Sequence, residues 1–254
     1  MTTHAPSLRL VRTVIAALGA GTLLVGCSFA DGPFGDGPRK TATADAAVTE
    51  AVTAVELTES AGSIEVTPGT GPGVTVRRTA HYRGDTAPRP GQKVTGGVLT
   101  FTGDCSGNCS IDYRLEVPAS ATVRLRTSSG DITVKGVAAA EVKSDSGTVE
   151  ADGIGGPLKI GTSSGDITAT GLSATSADVH SESGDARLDF AKIPSSVLAE
   201  TTSGNVTLTV PPAPYRVAVS TSSGDRDVTL PDDASAPSRL SAKTTSGDVR
   251  ISAV

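Results

Sequence analysis

Few residues in this chain could do chemistry. Gly161-Thr162-Ser163-Ser164-Gly165 matches the G-x-S-x-G turn that holds a serine nucleophile at a strand-to-helix elbow. Such a serine needs a histidine and an acid brought in from elsewhere, and beyond the N-terminal segment the chain offers only His81 and His180. The same phrase recurs six more times, usually without the leading glycine, so it reads as a turn, and no catalytic residue is assigned. A second pattern is acidic: Asp131, Asp166, Asp185, Asp225 and Asp248 each follow a glycine, in a column broken by Thr148 and Asn205. Stacked carboxylates could hold Ca²⁺, which wants six to eight oxygens. Asp and Asn also satisfy turn backbone directly, and the breaks favour that role, so no metal or cofactor is expected.

The element that positions these residues is a repeated Thr/Ser-Ser-Gly-Asp corner. Its glycines are Gly130, Gly147, Gly165, Gly184, Gly204, Gly224 and Gly247, at steps of 17, 18, 19, 20, 20 and 23 residues. A period of that size marks a repeat architecture. Aligned on glycine, the position seven residues earlier is Val123, Ala140, Leu158, Ala177, Val197, Val217 or Leu240. Two residues later stand Leu125, Val142, Ile160, Val179, Ala199, Val219 and Ala242, and an apolar pair resumes after each turn. The period of two predicts two short half-buried strands per repeat. One such pair buries too few side chains, at about 1.5–3 kcal/mol each, to offset the entropy of ordering itself. Stacking repeat on repeat closes the gap. The prediction is an all-β fold, a β-solenoid: a single-stranded parallel β-helix-like stack of about 18–20-residue coils rising ~4.8 Å per coil. The absence of Trp and the scarcity of aromatics, 3% of residues, suit such a narrow core.

On this alignment the serine before each glycine, from Ser129 to Ser246, falls on the apolar side and reads as an internal hydroxyl ladder. The outward Thr133, Thr168, Thr207 and Thr229 begin a threonine array that Glu150, Arg187 and Arg250 interrupt. Asp225-Arg226-Asp227 reads as a two-residue insertion and Pro231–Arg239 as a widened connection, making that corner a candidate contact surface.

Residues 1–26 read as an export signal, with Arg9 and Arg12 ahead of the uncharged run Val14 to Val25. Leu24-Val25-Gly26-Cys27 resembles the bacterial lipobox, which implies lipidation at Cys27, attachment to the membrane and an extracytoplasmic location. Residues 27–51, rich in Gly, Pro, Ala, Thr and Asp, read as a flexible tether. Residues 52–117 read as irregular N-terminal coils with a hairpin, and 118–254 as the regular repeats. Val55, Leu57, Gly62, Ile64 and Val66 repeat the column spacing, giving an eighth, divergent copy. Cys105 and Cys109 flank Ser106-Gly107-Asn108 between VLTFT and IDYRLEV; a three-residue hairpin there would bring them within disulfide reach, two free thiols being the alternative. Arg83-Gly84-Asp85, an adhesion tripeptide by composition, falls in a Pro/Gly-rich loop. Without the signal, 20 basic residues face 27 acidic ones, a net charge of −7 that argues against a nucleic-acid partner.

The run LEVPASATVRLRTSSGDITV, Leu115 to Val134, followed by Ser-Gly-Asp copies behind a lipoprotein signal, resembles the bacterial "putative adhesin" repeat family of the DUF4097 type over roughly Val52 to Val254. The resemblance implies a β-helix-like fold, an adhesive or envelope-structural role and no catalytic residues. The leading expectation is a non-enzymatic, lipid-anchored surface scaffold that contacts an envelope protein or surface polymer. The alternatives are a regulatory or sensing partner of envelope-stress machinery and, less favoured by the dearth of aromatic platforms, a polysaccharide-active enzyme. Ending at Val254 just after an apolar strand, the chain is also expected to self-associate through a C-terminal strand edge.

Overall fold

The computed structural model describes residues 38–103, 105 and 108–254, and its regular elements are all strands. The first third contributes β1 (Lys40–Val48), β2 (Ala54–Ala61), β3 (Ile64–Gly69), β4 (Val74–Tyr82), β5 (Gly91–Thr95), β6 (Val98–Thr102) and β7 (Ser110–Pro118). Next come β8 (Thr122–Ser129), β9 (Ile132–Lys135), β10 (Ala139–Ser146), β11 (Val149–Asp152), β12 (Leu158–Ser164), β13 (Ile167–Leu172), β14 (Ser176–Ser183) and β15 (Ala186–Phe190). The last are β16 (Ser196–Ser203), β17 (Val206–Val210), β18 (Arg216–Ser220), β19 (Arg226–Val228), β20 (Arg239–Lys243) and β21 (Val249–Ala253).

Each repeat gives one strand to each of two facing sheets, and the corner glycine lies between them. One sheet has 11 strands and the other 10, and the repeats stack in parallel. At the usual strand spacing the stack is about 45 Å long. Register follows the columns: Leu125 pairs with Val142, Val142 with Ile160, and Ile160 with Val179, all buried. The inward columns of both sheets meet in one continuous core. This is the predicted solenoid, with two strands per coil.

The corner is glycine because nothing else fits. At Gly165 φ is +147°, and a Cβ would lie 2.1 Å from the Gly147 carbonyl oxygen of the coil beneath. Each corner glycine from Gly62 to Gly247 meets a carbonyl below it at 2.0–2.2 Å in the same way. The stack is close enough for the turn N–H to bond across coils, as Gly147 N–H does to Ser164 O at 3.0 Å.

Coil order departs from chain order at both ends. The Gly62 coil (β2, β3) lies between β6/β7 and β8/β9, so the chain runs out and later fills in behind itself. At the distal end the last coil in sequence, β20/β21, is inserted between β16/β17 and β18/β19. The spatial terminus is therefore the Gly224 coil, and the expected free C-terminal edge does not exist: β21 is paired on both sides.

Three further expectations need correction. Residues 40–48 of the tether form β1, antiparallel to β4, with Ala42, Ala46 and Val48 packed on the core. Small alternating side chains carry too little hydrophobic contrast to announce that strand. β6 and β7 are not a hairpin: they lie in opposite sheets and form a further coil whose corner holds the cysteines. The hairpin in this region is β5–β6, turning at Gly96-Gly97. Asp225-Arg226-Asp227 is not an insertion either, because Arg226, Asp227 and Val228 pair with Val249, Arg250 and Ile251 in unbroken register. Arg226 thus stands in the inward column that Ile132, Val149, Ile167 and Val249 fill elsewhere. Residues 1–26 and Cys27 lie outside the described residues.

Candidate contact surface

Alternation carries the residue three before each glycine inward, so the buried hydroxyls are Thr127, Ser144, Thr162, Ser181, Thr201, Thr221 and Thr244. The serines directly before the glycines are exposed, contrary to expectation, because the chain is already leaving the sheet at the corner. Thr201, Thr221 and Thr244 each donate to the glycine carbonyl of the coil below at 2.9–3.0 Å, and Ser181 does so at 3.4 Å. In the Gly62 coil the position is Glu59, buried, with Oε1 accepting the Ser60 N–H at 3.0 Å and Oε2 unpartnered. Burial raises its carboxyl above the usual carboxylate range. Across the core, burial pushes the Tyr113 phenol up to about 12.

The acidic column is a hydrogen-bond ladder. Asp131 Oδ1 accepts the Thr148 N–H at 2.9 Å, Asp166 accepts that of Asp185 at 2.9 Å, and Asp185 that of Asn205 at 2.7 Å. Asn205 Oδ1 then serves Asp248, and Asp248 serves Asp225. Each side chain addresses the backbone of the same column in the next coil, which is the turn role. No cluster of three or more His, Cys, Asp or Glu suited to a metal occurs among the described residues.

Other candidates separate. The Gly161–Gly165 corner joins β12 to β13, strand to strand, without the helix that a nucleophile elbow requires. His180 lies beside Gly161 on the neighbouring strand, whereas His81 bonds Asp112 at 3.1 Å at the proximal end, so the two histidines share no site. Cys105 and Cys109 are disulfide-bonded, Cα atoms 5.8 Å apart. Asp85 of the tripeptide pairs with Lys40 Nζ at 3.1 Å. At the expected contact corner Asp225, Arg226 and Asp227 are exposed; Asp227 pairs with Arg250 of the neighbouring coil at 3.0 Å, and Arg226 donates to Thr221 O of its own coil at 2.9 Å.

One concavity among the described residues is one that the motifs did not indicate. An open groove of about 730 Å³ runs along the outer face of the 10-stranded sheet. Its floor is a row of small side chains: Ala54, Thr122, Ala139, Pro157, Ser176 and Ser196, one per coil. Along one flank run Glu56, Arg124, Glu141, Lys159 and Asp178, signs alternating coil by coil. Arg124 bridges Glu56 at 2.9 Å and Glu141 at 3.0 Å, and Lys159 meets Asp178 at 3.3 Å. The Arg124 guanidinium holds the Glu141 carboxyl below its ordinary range. In the sequence this row was visible as the outward position six before each glycine. Its pairing depends on spatial neighbours, and Glu56 meets Arg124 only because the Gly62 coil lies directly below the Gly130 coil.

The stack of glycine-cornered coils, without an assembled catalytic or metal centre among the described residues, defines a β-solenoid repeat protein. The chain belongs to the Toastrack family, DUF4097, whose model matches residues 102–254. A solved structure described as a "putative adhesin" from Bacteroides fragilis shares the fold, with a TM-score of 0.53 at 15% identity, covering 84% of this chain and 97% of that one. A "putative cell adhesion protein" from Clostridium sporogenes covers 84% and 100% at 11% identity, with a TM-score of 0.40 too low to add to this. Comparison with curated proteins gave no match.

Proposed function

We propose that the protein is a non-enzymatic, lipid-anchored scaffold at the cell surface, adhesin-like in role, which meets an envelope protein or surface polymer along the groove of the 10-stranded sheet. The observation that carries this reading is the groove itself. It is continuous over several coils, floored by small residues, and its charged flank is already paired, so it offers shape and hydrogen bonds in place of reactive groups. The adhesin designation of the B. fragilis structure supports the same role. Twelve residues lie between Cys27 and Lys40, a span of at most ~45 Å of chain, which would keep the proximal end near the membrane.

Two experiments test the parts separately. Cys27→Ala is expected to release the protein from membranes, and retention would remove the anchor from the proposal. Ala139→Trp and Ser176→Trp fill the groove from outward positions; they are expected to abolish capture of envelope material on crosslinking while leaving the melting curve unchanged. Unimpaired capture would count against the groove.

A further inference from the structure

A stack of in-register coils has no intrinsic reason to stop. Its last coil offers strand edges and core columns to a second copy. At the distal end, however, the terminal Gly224 coil carries Arg226 in a core column. The residue is exposed at the end of the stack, and its side chain donates across the corner of its own coil to Thr221 O at 2.9 Å. The following segment folds back over the edge of β18. There the Asp232 carboxylate accepts the Val217 N–H at 2.9 Å, Asp233 N–H bonds Tyr215 O at 2.8 Å, and Arg216 grips Ala234 O at 3.0 and 2.6 Å. The proximal end is closed differently: β1 pairs antiparallel along the outside of β4, with Ala44 opposite Arg78, while Arg78, at an inward position of β4, lies over the rings of Phe101 and Tyr113 at 5.5 and 5.9 Å and donates to Pro90 O at 3.1 Å.

We propose that Arg226 is a terminator that closes the distal end of the solenoid to a second copy of this chain, and that it sets the distal coil order. Between two coils Arg226 would be a buried charge in an apolar column, so the coil bearing it must be outermost. The last coil, with Val249 and Ile251 at those positions, takes the inner place. Self-association through the C-terminal edge is thereby suppressed, and the lateral faces are left as the contact surfaces.

Sedimentation equilibrium over a wide concentration range tests this. The purified protein is expected to be monomeric throughout. Arg226→Val with Asp232→Ala is expected to dimerise end to end through the distal coils, with self-affinity raised at least roughly tenfold, about 1.4 kcal/mol. A double variant as monomeric as the parent, or a parent that itself joins through Ser222→Cys crosslinks, would overturn the proposal. Should the variants not fold, amide exchange decides on the parent and on Asp232→Ala alone. The Val217 amide is expected to be protected in the parent and to lose that protection in Asp232→Ala; fast exchange in the parent refutes the cap.

Discussion

Replacing Gly165 by alanine tests the corner most sharply, because the same repeat contains its own control. At Gly165 the added methyl carbon would sit 2.1 Å from Gly147 O, more than 1 Å inside ordinary contact, and the obstacle is backbone that no rotamer can move. Holding a non-glycine residue at φ +147° costs about 1–3 kcal/mol. Opening the coils to relieve the clash stretches the bonds from Gly147 N–H to Ser164 O and from Val149 N–H to Asp166 O, now 3.0 and 2.9 Å, at about 1 kcal/mol each. The sum is about 3–5 kcal/mol. For a folded body of this size that lowers Tm by roughly 6–20 °C. Gly161, four residues earlier, has open space where a Cβ would go and no positive φ. Gly161→Ala should therefore be neutral, or stabilising by about 0.4–1 kcal/mol through the unfolded chain. Thermal and urea unfolding of the two variants beside the parent measure the difference. If Gly165→Ala melted within a degree or two of Gly161→Ala, the corner would not be closely stacked and the reasoning would fail.

Glu59→Thr, which restores the hydroxyl found in this column elsewhere, should stabilise the protein at neutral pH by about 1–3 kcal/mol by removing an unpartnered buried oxygen. Because burial raises the folded carboxyl above its unfolded value, the favourable contribution of protonated Glu59 is complete below the unfolded pKa and is lost as pH rises through the folded one. The parent should thus lose stability relative to Glu59→Thr between acidic and neutral pH; parallel curves would contradict this. Asp185→Ala removes the acceptor for two Asn205 donors and should cost about 1–2 kcal/mol, whereas Asp185→Asn, which keeps an acceptor as Asn205 does for Asp248, should cost less than half of that. Equal losses, or a rise in Tm on adding Ca²⁺, would favour a cation role for the column.

How much of this was legible depended on whether a residue's environment is set by its own repeat or by a neighbour's. The inward columns through Leu125 and Ile132 and the corner glycines could be read directly, since period two and a fixed turn dictate them. The serine column was misplaced because alternation was carried one step too far, through a corner where the backbone has already left the sheet. Arg226 was misread because an arginine in an apolar column looks like an insertion when the coil is assumed to be interior; only its terminal position makes it reasonable. The groove and its charge pairs, such as Arg124 between Glu56 and Glu141, depend on which coil lies on which, and at both ends that order differs from the order along the chain.

Coil order is therefore the claim on which the rest turns, and paired cysteines read it directly. Ser203 and Ser246 are bridge partners, as are Ser246 and Ser223, so Ser203 and Ser223 lie two coils apart, about 9–10 Å and beyond disulfide reach. Under mild oxidation the pair Ser203→Cys/Ser246→Cys should crosslink within one chain, and Ser203→Cys/Ser223→Cys should not. The reverse outcome would mean coils stacked in simple chain order, with the C-terminal strand at the edge and Arg226 inside the stack.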